Sequence, residues 1–180
     1  MKEVIGLIIL SSVLLTGCGT VQMTDFDLKA IPVKAFKNQY SAELYSVVFD
    51  YNLPSNGNEF GNNFKVPLLW KDLTKNTLTQ SGVFKNNATK QVDVVVNVTY
   101  ADLPVVGFSD MTTRLEATYS IIDRGNGESL FSKEIRSESR IPISYALAGV
   151  KRAEESTRVA VTSNVDEFIE ALRSFVELPL

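Results

Sequence analysis

The sequence of 180 residues contains no histidine. Histidine is the usual general base near neutral pH and the commonest metal-binding side chain. Its absence excludes Ser-His-Asp and Cys-His catalytic arrangements and zinc sites built from histidine and cysteine. Carboxylate-pair chemistry remains formally possible, but the acidic residues are spread along predicted helix faces and loops. We therefore predict no catalytic residue, no metal site and no cofactor.

Three further signatures are missing. No phosphate-binding loop occurs, because Gly57 and Gly61 lie in an asparagine-rich segment without a following Gly-Lys-Ser/Thr. The net charge is −3 and the chain has no cluster of lysine or arginine, which argues against a nucleic-acid partner. Cys18 is the only cysteine, so no disulfide can form within the chain.

An apolar run from Val4 to Leu15 follows a start that carries Lys2. A short cationic start, an apolar core and small residues before a cut are typical of a secretory signal peptide. The alternative is a membrane-spanning helix. That alternative is disfavoured because spanning a bilayer takes about twenty apolar residues, and this run is much shorter.

The run ends in Leu15-Thr16-Gly17-Cys18, which resembles the lipobox of bacterial lipoproteins. The resemblance implies cleavage before Cys18, diacylation of its thiol and acylation of the new amino group. Two or more acyl chains anchor a domain stably, at about 0.8 kcal/mol per buried methylene. In the lipoprotein sorting of Gram-negative bacteria that this motif resembles, the residue after the cysteine matters. That residue is Gly19 here and not Asp, which implies the outer membrane, on its periplasmic side. We expect residues 1–17 to be a cleaved signal peptide.

Residues 18–38 are expected to be a lipidated tether, and residues 39–180 a single domain. Hydrophobic periods of two and of three to four predict a strand over 40–51, a helix over 66–81, three strands between 91 and 139, and a helix over 145–176. Helices segregated from an antiparallel meander predict an α+β, two-layer fold. The mainly antiparallel sheet should have about four strands, with both helices packed on one face.

Individual residues carry more specific expectations. Trp70 is predicted to anchor the core, with a ligand-stacking role as the alternative. Leu147 is placed in the apolar stripe of the last helix, and Arg152 on its solvated charged face. Gly82 fits the C′ position of the first helix, and the segment Asp123–Gly127 is a strong turn signal between two strands.

Residues 102–112 join two predicted strands, yet they include five apolar side chains: Leu103, Val105, Val106, Phe108 and Met111. Hairpin loops lie on the surface, and apolar residues clustered there can mark a contact patch. We predict a partner or lipid contact at this end of the sheet. The alternative is that Val105 and Phe108 enter the core or extend the strands. Segment 52–65, with Phe60 and Phe64, is a second candidate or a plain loop.

Lipobox, tether and the β-α-β-β-β-α order together resemble small envelope lipoproteins of Gram-negative bacteria. These include the lipopolysaccharide-assembly lipoprotein, auxiliary lipoproteins of ABC-type lipid transporters, and lipoprotein activators of peptidoglycan synthases. The anchor and the apolar loop favour a non-catalytic adaptor or assembly factor for a protein complex at the outer membrane, with an envelope protein as partner. The alternative is a lipid-handling or transport-auxiliary module that binds an acyl chain or lipopolysaccharide. The oligomeric state stays open.

Overall fold

The computed structural model describes residues 31–51, 60 and 65–177. The predicted signal peptide, Cys18 and most of the predicted tether lie outside these residues. Across the described ranges, no helix combines the length and hydropathy needed to cross a bilayer.

The structure is a four-stranded sheet with two helices on one face, which confirms the predicted α+β class. The elements in chain order are β1 (Glu43–Asp50), α1 (Lys65–Ser81), β2 (Gln91–Asp102), β3 (Met111–Asp123), β4 (Ser129–Ile141), a 3-10 turn (Ile143–Tyr145) and α2 (Gly149–Glu177). The sheet order is β1-β2-β3-β4. β1 pairs parallel with β2, whereas the other two pairings are antiparallel.

Alternating side chains direct one face of the sheet toward the helices. Successive strand residues point to opposite faces, and the residues of β2 and β3 that face the helices are buried: Val92, Val94, Val96, Val98, Leu115, Ala117, Tyr119 and Ile121. On α2, the buried Ala153 and Ala160 lack bulk, so the helix backbone can approach the sheet closely. The core therefore lies between one sheet face and the two helices.

A buried hydrogen-bond chain connects the two layers through Tyr119. Trp70 Nε1 of α1 donates to the Tyr119 hydroxyl at 2.8 Å, and that hydroxyl donates to Asn164 Oδ1 of α2 at 2.9 Å. Asn164 Nδ2 then donates to Ser137 Oγ of β4 at 3.1 Å. Burial raises the pKa of the Tyr119 phenol, which keeps it neutral. Trp70 is fully buried, so its predicted role as a core anchor is confirmed.

The start of α2 differs from the prediction. The helix begins at Gly149, because the backbone at Ala146 is extended, with φ −158° and ψ 145°. The assignment of Leu147 to the apolar stripe of the helix is therefore wrong, and its side chain is 96% exposed. The assignment of Arg152 to the solvated face is also wrong, since this arginine is fully buried.

The chain enters the described domain at the C-terminal ends of both helices. The Phe36 N–H donates to the Ser81 carbonyl at the end of α1. Near the end of α2, Arg173 donates to the Lys34 carbonyl at 2.8 Å, and its guanidinium lies 4.3 Å from the centre of the Phe36 ring. The 103–110 loop lies at the opposite end of the sheet. It leads into Met111 at the start of β3, which pairs with Ile141 at the end of β4, shortly before α2 begins.

Candidate contact surface at one end of the sheet

The structure divides the five apolar residues predicted in the 102–112 loop into buried and exposed sets. Leu103 and Met111 belong to the core, and Val106 packs partly against it. Val105 and Phe108 are 85% and 93% exposed. Entry of these two side chains into the core is therefore ruled out, and they are the accessible part of the predicted contact.

A second exposed apolar segment precedes α2. Ile143, Tyr145 and Leu147 all carry exposed side chains. The sequence assignment missed this segment because it extended the last helix back to Tyr145. Pro142 and Gly149, which bracket a run rich in apolar residues, were the available signal that this stretch is not helical. We call the five exposed residues of the two segments the end surface: Val105, Phe108, Ile143, Tyr145 and Leu147.

Arg152 joins the two segments of the end surface. Its Nη2 donates to the Gly107 carbonyl at 2.7 Å and to the Ser109 carbonyl at 3.3 Å. Its Nη1 donates to the Leu147 carbonyl at 3.0 Å and also to the Ala146 carbonyl. A buried cation needs such partners, because an unpaired charge away from water is costly. One side chain thus holds the backbone of both segments.

Asp110 makes a second connection between the segments. Its Oδ1 accepts the Ile143 N–H at 2.9 Å, and its Oδ2 accepts Arg140 Nη2 at 2.8 Å. The Ile143 N–H, the Arg140 guanidinium and the charge of Arg152 hold the pKa of the Asp110 carboxyl below its usual value. Asp110 is therefore ionised at neutral pH and lies close enough to Arg152 to offset part of its charge.

Gly149 allows the helix to start directly against the loop. A Cβ at this position would lie 2.6 Å from the Gly107 carbonyl oxygen and 3.0 Å from Val106 Cγ1. The clash with a backbone oxygen explains why glycine stands here, since the backbone cannot yield as a flexible side chain would. The end surface is thus built on close, specific packing.

The chemistry that the end surface offers is non-covalent apolar contact. Its exposed side chains are aliphatic or aromatic. Of its charged supports, Arg152 donates to backbone carbonyls, and Asp110 accepts from the Ile143 N–H and from Arg140. In the part of the chain that the structure describes, no group of three or more His, Cys, Asp or Glu side chains could hold a metal ion.

The second predicted candidate, segment 52–65, is only partly described. Phe60 is buried and meets the Tyr51 ring edge to face, with centroids 5.9 Å apart. Its side chain is therefore part of the packing. Phe64 and most of the segment lie outside the described residues.

No protein-family model matches this chain, and no curated protein matches it. Several solved structures resemble it. Protein XCC0632 from Xanthomonas campestris, of family DUF330, is 12% identical with a TM-score of 0.50, over 85% of this chain and 98% of that one. This likeness shows a shared fold. A minor lipoprotein from Acinetobacter baumannii is 16% identical with a TM-score of 0.45, over 74% of this chain and 94% of that one.

Proposed function

We propose that this chain is a lipid-anchored, non-catalytic envelope lipoprotein that acts as an adaptor or assembly factor for a protein complex at the outer membrane. Acyl chains on Cys18 supply the anchor, and the end surface supplies the contact. The observation that carries the proposal is the near-complete exposure of Phe108 and Leu147 on backbone held by Arg152 and Asp110.

The ordered backbone beneath these apolar side chains favours a binding role over incidental exposure. Exposed apolar patches on soluble domains mark interaction sites. Binding is weakened when loops must be ordered on contact. Here the Arg152 and Asp110 hydrogen bonds already order both segments, so less conformational entropy is lost when a partner docks.

The packing around Trp70 gives less support to the lipid-handling alternative. An acyl-chain site there would need apolar space between the sheet and the helices. Trp70, Tyr119 and Phe168 are fully buried at this position, and the last two rings stack with centroids 4.2 Å apart. Their own side chains provide the apolar contacts that a bound acyl chain would make.

The adaptor proposal is tested by crosslinking pull-down of the lipidated protein from its native envelope. We compare the native chain with Phe108→Asp and with a matched control, Leu68→Asp, which changes a 63% exposed leucine on α1. Substitutions at exposed positions away from special features change stability by only about 0.5 kcal/mol, so both variants should stay folded. We expect a stoichiometric protein partner that Phe108→Asp loses and Leu68→Asp keeps.

Two results would count against this proposal. Co-purified lipid without a protein partner would support the lipid-handling alternative. A partner retained equally by Phe108→Asp and by the native chain would show that the contact lies elsewhere on the domain. Circular dichroism of all three proteins excludes misfolding as the cause of any loss.

A further inference from the structure

We infer that the end surface lies on the membrane-distal side of the anchored domain and docks the apolar, near-neutral surface of a periplasm-exposed protein. The bilayer that holds Cys18 is not its occupant. This inference deepens the proposed function and rests on the same lipid anchor. It is carried by where the chain enters the domain, by the length of α2, and by the charges beside the end surface.

The tether enters the domain at the far end from the end surface. Residues 34–36 are held against the C-terminal part of α2 by Arg173, and Ile31 is buried in the core just before them. The end surface adjoins the first turn of the same helix, where Arg152 bonds both of its segments. The C-terminal end of α2 therefore lies at the point of attachment, and its N-terminal end lies at the apolar contact.

The separation between these two points is large. From Gly149 to Arg173 the helix advances 24 residues, or about 36 Å at 1.5 Å per residue. Sixteen steps along the chain separate Cys18 from Lys34, the residue that Arg173 holds. Fully extended, they reach about 55 Å, whereas a flexible chain of that length has a typical end-to-end distance of about 22 Å.

Chain length therefore favours an end surface that points away from the bilayer. If the end surface lay on the membrane with α2 upright, Lys34 would stand about 36 Å above it, beyond the typical end-to-end distance of the chain that joins it to Cys18. The opposite orientation places Lys34 near the bilayer and requires no stretching. Because stretching a flexible segment loses conformational entropy, the distal orientation is favoured.

The charges that flank the end surface also favour a protein over lipid headgroups. Surfaces that bind anionic lipid present clustered lysine and arginine. Here Arg140 pairs with Asp110 at 2.8 Å, and Lys151 pairs with Glu154 at 3.1 Å. Between them, the exposed side chains of the end surface are apolar, and the exposed Ser109 and Ser144 are uncharged. The complementary partner is an apolar protein surface with little net charge.

The orientation is tested with the lipidated protein in phosphatidylethanolamine–phosphatidylglycerol vesicles. Fluorophores are attached to Phe108→Cys and Leu147→Cys, since acylation leaves no thiol at Cys18, and spin-labelled lipid serves as quencher. Thr20→Cys, two residues from the anchor, is the positive control. We expect strong quenching at position 20 and none above background at positions 108 and 147. Quenching at 108 and 147 comparable to that at 20 would overturn the inference.

The occupant is tested by a photocrosslinking residue placed at 108, at 147 or at the control position 68 in the native envelope. We expect positions 108 and 147 to give adducts with the same polypeptide, and position 68 to give none. Adducts of twice the mass of the chain would identify a second copy as the occupant. Lipid adducts would identify the bilayer as the occupant. Either result overturns the inference. A partner that crosslinks only from position 68 would keep the adaptor function and refute this surface. Lipid adducts without any protein adduct would refute both.

Discussion

Replacing Tyr119 with phenylalanine should destabilise the domain by removing the hydroxyl that links Trp70 of α1 to Asn164 of α2. The tyrosine hydroxyl accepts from Trp70 Nε1 at 2.8 Å and donates to Asn164 Oδ1 at 2.9 Å. All three side chains are fully buried. Tyr119→Phe removes one oxygen atom, keeps the ring that stacks on Phe168, and strands two polar groups away from water.

The expected magnitude follows from those two stranded groups. A buried donor or acceptor without a partner costs about 1–3 kcal/mol, so we expect a loss of about 2–5 kcal/mol in the free energy of unfolding. For a domain of this size, each kcal/mol shifts Tm by about 2–4 °C. Tyr119→Phe should therefore lower Tm by about 5–15 °C.

Urea denaturation followed by circular dichroism measures this loss. Tyr45→Phe is the matched control, because it makes the same chemical change on a side chain that is 58% exposed, and it should change stability by less than about 0.5 kcal/mol. A double-mutant cycle with Asn164→Ala should give a coupling energy above about 0.5 kcal/mol. A Tyr119→Phe loss no larger than that of Tyr45→Phe would refute the proposed role of the buried chain.

Two further predictions concern the anchor and the acid limit of stability. Cys18→Ala should abolish incorporation of labelled acyl chains and release the protein from membranes; a variant that stays on membranes after a salt wash would contradict the anchor. Lys90 at 2.9 Å and the Gly125 N–H hold the pKa of Asp123 below its usual value. Because the folded pKa is the lower one, this stabilisation is present above about pH 4 and is lost as pH falls through the folded value. Asp123→Asn should thus flatten the acid side of a plot of unfolding free energy against pH, measured by urea titration; an unchanged slope would contradict it.

Elements with local patterns were predictable from sequence. The alternating valines of β2 indicated a half-buried strand, and the observed strand covers Gln91–Asp102. Gly82 was predicted at the end of α1, where it adopts φ +62°, and Gly127, in the predicted turn between β3 and β4, adopts φ +75°. Glycine takes such conformations without the steric cost that a Cβ brings, so its position alone was informative.

The contact region was predictable only in part. Five apolar residues indicated a patch in the 102–112 loop, yet only Val105 and Phe108 are largely exposed, while Leu103 and Met111 are buried. Hydrophobicity does not tell an exposed side chain from a buried one when a loop lacks a regular period. Tyr145 and Leu147 were missed because the predicted helix began at residue 145, and the extended backbone at Ala146 decided otherwise. Ile143 precedes that predicted helix and was assigned no role.

By itself, the sequence determined the α+β class, the order of elements and the main core positions, since periods of two and of three to four depend on neighbouring residues. It also excluded histidine-dependent chemistry and contains the lipobox-like Leu15–Cys18 motif on which the proposed anchor rests. Only the tertiary structure decided that Arg152 is buried and that its guanidinium joins residues 107–109 to residues 146–147. These partners are about forty residues apart along the chain, and such a contact exists only after the sheet and α2 have packed together.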